Sequence, residues 1–177
     1  MLDVHELDTI PEAQAAELLR ACCGASRWVS AMVARRPFGT RDAVLLAADL
    51  VWRSLGPADW HEAFRHHPRI GARASALEQP GPGAEWSENE QAGVRRADDG
   101  VRRRLAAVNR EYEQRFGYIY IVNATGKSAE AMLQLARRRL ANRPEVELHI
   151  AAAEQEQIML NRIEKLLDHG RDARSVQ

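Results

Sequence analysis

The chain has 177 residues, with 25 basic and 25 acidic side chains and 45% hydrophobic residues, proportions of one globular domain with enough apolar surface for a core. Zero net charge argues against a general polyanion binder, which relies on excess positive charge. Only Lys127 and Lys165 are lysines, leaving 23 arginines: amines for Schiff-base chemistry are scarce, and bidentate carboxylate binders are plentiful.

The N-terminus, Met1 to Glu6, is acidic and lacks the apolar run of a signal peptide. Thr9-Ile10-Pro11-Glu12 has capping-box spacing with proline in the first turn, and predicts a helix carrying Leu18, Leu19 and Cys22. The adjacent Cys22 and Cys23 are neither a disulfide framework nor a zinc pattern, which suits a reduced, cytoplasmic setting. Trp28, Val29, Met32 and Val33 predict a second short helix, ended by Arg36-Pro37-Phe38-Gly39. A long apolar helix follows from about Thr40 to Leu55, with Leu45, Leu46, Leu50 and Val51 expected inward, and Gly56-Pro57 breaks it. Asp59-Trp60-His61-Glu62 then caps a short helix that Pro68 must end.

Residues 78 to 86 contain two Pro-Gly pairs and read as a loop. Ser87-Glu88-Asn89-Glu90 opens a long helix running towards Phe116. Tyr118 to Val122 is strand-like but has no partner strand, so it is expected as extended chain threaded through a helical core. Ser128 starts a helix to about Leu140, Pro144 to Asp168 forms the last, and the final seven residues are polar and frayed. The expected fold is all-α: a single multi-helix domain over residues 1–177 with one extended segment around 118–122. No stretch approaches the ~20 apolar residues of a membrane span.

From Arg95 to Arg104, arginines and aspartates alternate at helical spacing and neutralise one another, as on a solvated helix face. Arg137-Arg138-Arg139 sits at a helix end, where cations complement the dipole. Neither cluster is interleaved with aromatics, so no nucleic-acid partner is expected. His61, His66 and His67 are spaced five, one and six apart, wrong for a two-histidine metal site on one helix face; no metal is expected. Pro68 pushes His67 out of the helix; position alone favours a helix-end histidine interacting with the dipole.

Arg162 carries the strongest physical signal. Leu148, Ala151, Gln155, Ile158, Met159, Arg162 and Leu166 fall on one stripe of the last helix. A guanidinium on an apolar face must meet an internal carboxylate, for which Glu90 and Asp49 are candidates, or a bound acidic ligand. Ser87 and Glu90, by spacing, read first as a structural capping box. Asn123-Ala124-Thr125-Gly126 is a turn whose N–H groups are either solvated or available to the carbonyls of a small heterocycle.

Taken together, His67-Pro68-Arg69-Ile70-Gly71, Ser87-Glu88-Asn89-Glu90-Gln91, Asn109 with Tyr112, Phe116-Gly117-Tyr118 and Arg162 resemble the 2-oxo-4-hydroxy-4-carboxy-5-ureidoimidazoline (OHCU) decarboxylases. The resemblance implies an all-helical, cofactor-independent, cytoplasmic homodimer. Its reaction removes CO2 from the third intermediate of urate oxidation, giving (S)-allantoin. By carry-over, His67 is the catalytic acid/base, and Arg162 holds the carboxylate. Glu90 fixes the His67 tautomer or binds the ureido N–H groups. Pro68, Ser87, Gln91 and the backbone of Val122, Asn123, Ala124, Thr125 and Gly126 line the pocket. The substrate's own conjugated ring can delocalise the electrons left by CO2, so neither Schiff base nor metal is required. Arg69-Ile70-Gly71 departs from the acidic-and-leucine version of some members, and Tyr118-Ile119-Tyr120-Ile121-Val122 lacks the proline of many. The competing reading is a helical module that binds an acidic metabolite on Arg162 without turnover.

Overall fold

The computed structural model describes residues 2–70, 86 and 97–168. Among these are eight helices and no strand: α1 Val4–Thr9, α2 Glu12–Cys22, α3 Ser26–Val33, α4 Arg41–Arg53, α5 Pro57–Arg65, α6 Asp99–Phe116, α7 Ala129–Arg139 and α8 Pro144–Asp168. The all-α expectation holds. The expected loop at 78–86 lies outside the described residues except for Trp86, and so do the start of the helix at Ser87 and the final seven residues.

The chain divides into two compact units, residues 1–62 with 156–177, and residues 63–155. In the first unit, Asp3 and Glu6 form the capping box that opens α1. This corrects the expectation for Thr9. Its hydroxyl donates back to the His5 carbonyl at 2.8 Å inside α1, and Pro11 precedes α2 without a side-chain cap. The signal was ambiguous because Asp3-x-x-Glu6 and Thr9-x-x-Glu12 have the same spacing; only the first leaves its hydrogen-bonding side chain outside a preceding helix. Arg36 donates to the Leu7 and Ile10 carbonyls at 2.8 Å each, satisfying the open end of α1.

The helix expected from about Thr40 is present as α4, capped by the Thr40 side chain, but its buried face is Val44, Ala48, Val51 and Trp52. Leu46 and Leu50 are 59% and 55% exposed, against expectation. The run Val44-Leu45-Leu46-Ala47-Ala48 is apolar all round, so hydrophobicity alone could not choose the face. Trp28 does choose it, donating its indole N–H to the Ala48 carbonyl at 3.2 Å. Pro57 opens α5 ahead of the cap expected at Asp59, since proline is tolerated in a first turn. Asp59 lies inside that turn, where it accepts from the Gly56 N–H at 3.2 Å and the Arg27 guanidinium at 3.1 Å.

In the second unit, the single helix expected to run to Phe116 begins instead at Asp99. Asp98 is extended and caps it, accepting from the Val101 N–H at 3.0 Å. Asp98-Asp99 thus serves as cap and acidic first turn, although Asp99 also keeps its expected partner Arg102. Gly117 ends α6 at φ 78°, a conformation that favours glycine. Tyr118, Tyr120, Ile121 and Val122 then run buried without helix or strand, as the threaded segment required. Tyr112 packs edge-on against Tyr118 and Tyr120, with ring centroids 5.8 and 5.2 Å away.

Candidate active site

His67 lies where Pro68 was expected to put it. The helix stops at Arg65, the His67 N–H donates to the Phe64 carbonyl at 3.2 Å, and the half-buried imidazole follows that last turn. The segment after it is held by one face of α6. Asn109 donates its side-chain amide to the Ile70 carbonyl at 3.0 Å. One turn later, Glu113 accepts two bonds from the Arg69 guanidinium, at 2.6 and 3.1 Å. Asn109, quoted above only as part of a pattern, therefore has a physical task beside His67-Pro68.

Arg162 belongs to the first unit and is 5% exposed. It shares its buried stripe with Ala151, Gln155, Ile158, Met159 and Leu166, as the helical wheel predicted; Leu148 is half-buried. Its guanidinium donates to the Ala21 carbonyl at 3.3 Å, in the last turn of α2, where carbonyls lack helical partners and the dipole favours a cation. The Cys23 thiol lies within the field of the same arginine. Burial nonetheless dominates and pushes that thiol up to about 12, so it stays neutral beside the cation. Beyond this corner, Glu62 accepts from the Ser26 hydroxyl at 2.6 Å and its N–H at 3.1 Å, capping α3 where Ala25 has no side chain to do so. Asp49, one of the two carboxylates considered for Arg162, is engaged by Arg53 at 2.9 Å.

Ser87, Glu90 and Gln91 lie outside the described residues. In the turn from Val122 to Gly126, the Asn123 N–H donates to Glu154 at 2.7 Å and the Thr125 N–H to the Asn123 side chain at 3.3 Å. Gly126 takes φ 74°, and the Lys127 ammonium donates to the Asn123 carbonyl at 2.6 Å.

A second buried arginine escaped the sequence analysis. Arg139 was expected as a helix-end cation, yet it is 4% exposed, whereas Arg137 and Arg138 are exposed. It pairs with the fully buried Glu147 at 2.6 Å and donates to the Ile121 carbonyl at 2.9 Å. Tyr112 and Asn142 complete the coordination of Glu147. Burial lowers the Arg139 pKa, but Tyr112, Glu147 and Tyr120 together carry it above its ordinary value. The available signal was phase: Arg139 continues the stripe of Ala129, Met132 and Ala136, and Glu147 lies one turn before Ala151 on the stripe of α8.

The OHCU decarboxylase family model matches residues 8–164. The chain belongs to the OHCU decarboxylase family. It is 32% identical over 147 residues to the uric acid degradation bifunctional protein TTL of Arabidopsis thaliana, an alignment covering 83% of this chain and 45% of that protein. The chain thus spans about half the length of that relative. The 2-oxo-4-hydroxy-4-carboxy-5-ureidoimidazoline decarboxylase of Amia calva is 27% identical over 135 residues, 75% of each chain. Among solved structures, an OHCU decarboxylase crystallised in the presence of (S)-allantoin superposes with a TM-score of 0.74 at 32% identity, covering 86% of this chain and 98% of that one.

Proposed function

We propose that this chain decarboxylates 2-oxo-4-hydroxy-4-carboxy-5-ureidoimidazoline to (S)-allantoin, without a cofactor, as a carboxy-lyase of urate degradation. The observation that carries this reading is Arg162, a buried guanidinium on an apolar helix face of a chain in this family. Arg162 holds the substrate carboxylate and orients the C–C bond to be broken. As CO2 leaves with its oxygen charge neutralised, the bonding electrons pass into the substrate's conjugated ring. His67, displaced from the helix by Pro68, delivers a proton to one face of the resulting carbanion and so sets the (S) configuration. Glu90 fixes the imidazole tautomer or binds the ureido group, and Ser87, Gln91 and Pro68 line the pocket. The Val122–Gly126 backbone contributes through groups other than the Asn123 and Thr125 N–H groups, which already have internal acceptors.

The test is stereochemical. Spontaneous decay of freshly generated substrate gives racemic allantoin, so the enzyme should produce an optically active (S) excess that disappears in His67→Ala. Full (S) excess from His67→Ala would refute its assignment as the proton donor. Binding of product without any rate enhancement would favour the non-catalytic module.

We further propose one functional domain, supported by a family match that runs through both compact units. We also propose a cytoplasmic homodimer. Among the described residues Cys22 and Cys23 form no disulfide, and no helix is long and apolar enough to cross a membrane. Leu46 and Leu50, one turn apart and more than half exposed, are apolar surface that a second copy would cover. Leu46→Glu with Leu50→Glu should then shift the mass in analytical ultracentrifugation to that of a monomer; an unchanged mass would remove this face from the interface.

A further inference from the structure

The four residues from His67 to Ile70 have no helix of their own to fix them, yet two side chains of α6 grip them. Asn109 and Glu113 are four residues apart, hence on the same face. The first is 7% exposed and bonds the Ile70 carbonyl at 3.0 Å; the second takes Arg69 in a two-bond grip at 2.6 and 3.1 Å. Bidentate arginine–carboxylate pairs fix orientation as well as distance. On the other side of His67, its own N–H is tied to Phe64, whose ring packs 5.2 Å from that of Tyr118. Pro68 restricts the backbone between these anchor points. All of these residues belong to the second unit.

We propose that Asn109 and Glu113 are positioning residues for His67: together they fix the His67–Ile70 segment against α6 and so aim the imidazole at the reacting carbon. The inference rests on the reading of His67 as the acid/base. It also gives a purpose to Arg69, because a carboxylate in its place would repel Glu113 and open the grip.

The experiment uses the full-length chain, freshly generated substrate and (S)-allantoin formation followed by circular dichroism. Four variants are needed: Arg69→Glu, Glu113→Arg, the two combined, and Asn109→Ala. Thermal melting verifies that each is folded at the assay temperature. Each single charge reversal should lower kcat by about 5- to 20-fold, because misplacement of a catalytic group acts on the chemical step. KM, set by the carboxylate on Arg162, should stay within about twofold. The double reversal restores the ion pair and should bring kcat back to within about threefold of the parent. Asn109→Ala should lower kcat similarly with KM unchanged. Unchanged kcat in folded Arg69→Glu and Asn109→Ala would overturn the positioning role while leaving the family reaction standing, and so would a double reversal no better than the singles. If His67→Ala itself kept full rate and full (S) excess, the assignment of His67 would fall, and the positioning role with it.

Discussion

Two arginines are buried among the described residues, Arg139 in one unit and Arg162 in the other, and their surroundings differ in kind. Arg139 is enclosed by its own protein: a carboxylate with no exposure, a phenol, a backbone carbonyl and two aromatic faces. Every charge there has a partner, and the bond to Ile121 anchors the irregular segment that follows α6. Arg162 is set against the end of α2 by a carbonyl and faces a thiol that burial keeps neutral. Burial alone does not mark a functional arginine. What separates the two is the company they keep: Arg139 sits with a buried carboxylate, a phenol and two aromatic faces, whereas Arg162 bonds a helix-end carbonyl on the stripe to which the proposed function assigns the substrate carboxylate.

The largest expected effect tests the first half of that contrast. Arg139→Met leaves Glu147 buried without its cation and should cost about 3–5 kcal/mol of stability. Denaturant unfolding reads this directly, and a loss below about 1 kcal/mol would mean that Glu147 does not depend on Arg139 for its charge balance. Replacing both partners, Arg139→Met with Glu147→Leu, should recover much of the loss, since no uncompensated charge remains. Arg162→Gln should do the opposite, with a smaller stability change and a large functional one. On the proposed role of Arg162, losing its charge-assisted bond to the substrate carboxylate removes about 2–3 kcal/mol, roughly 30- to 150-fold in kcat/KM. Equal stability losses in Arg139→Met and Arg162→Gln, with activity per folded molecule retained in the latter, would erase the distinction.

The same contrast explains what could be read beforehand. Arg162 was legible because it interrupts the apolar stripe of a 25-residue helix, long enough for phase to be unambiguous. Arg139 was not, because it closes a run of three arginines at a helix end, where composition suggests solvent and only its phase says otherwise. His67 was placed by the local rule for a residue before proline. The grip of Asn109 and Glu113 on the next residues was illegible, since it joins positions 39 and 44 residues apart. Helix boundaries failed where one chemical signal had two valid uses, as at Thr9 and at Asp98.

A third polar residue on the α8 stripe lies between the two charged ones in sequence. Gln155 has no exposed surface, and neither atom of its amide has a hydrogen-bond partner among the described residues. An unsatisfied buried polar group costs about 1–3 kcal/mol. Gln155→Met, similar in shape and without that cost, should therefore stabilise the protein by about 1 kcal/mol in denaturant unfolding. Destabilisation would show that the amide is satisfied in solution. A gain in stability accompanied by loss of turnover would place Gln155 with Arg162 rather than with Arg139.

The smallest effect comes from an exposed arginine that bridges two carboxylates. Arg53 reaches Asp49 at 2.9 Å and Glu156 at 3.3 Å, with its side chain 68% exposed. Burial raises the Glu156 pKa above the usual glutamate value, a hydrogen bond that the protonated Glu156 carboxyl donates to Asp49 adds to the rise, and Arg53 opposes it. A carboxyl whose folded pKa is raised stabilises the fold at low pH, and that contribution fades as pH climbs through the folded value. Arg53→Gln removes the opposing cation, so the Glu156 pKa should rise further. The variant's melting temperature should then fall more steeply than the parent's as pH increases above the ordinary glutamate range. Salt should shrink the difference, because an ion pair open to solvent weakens as ionic strength rises. Salt should leave the loss in Arg139→Met untouched. Parallel melting curves for Arg53→Gln and the parent would show that Arg53 does not control this pair. A salt-sensitive Arg139→Met would mean that water reaches Glu147 and that its network is less sealed than its burial implies.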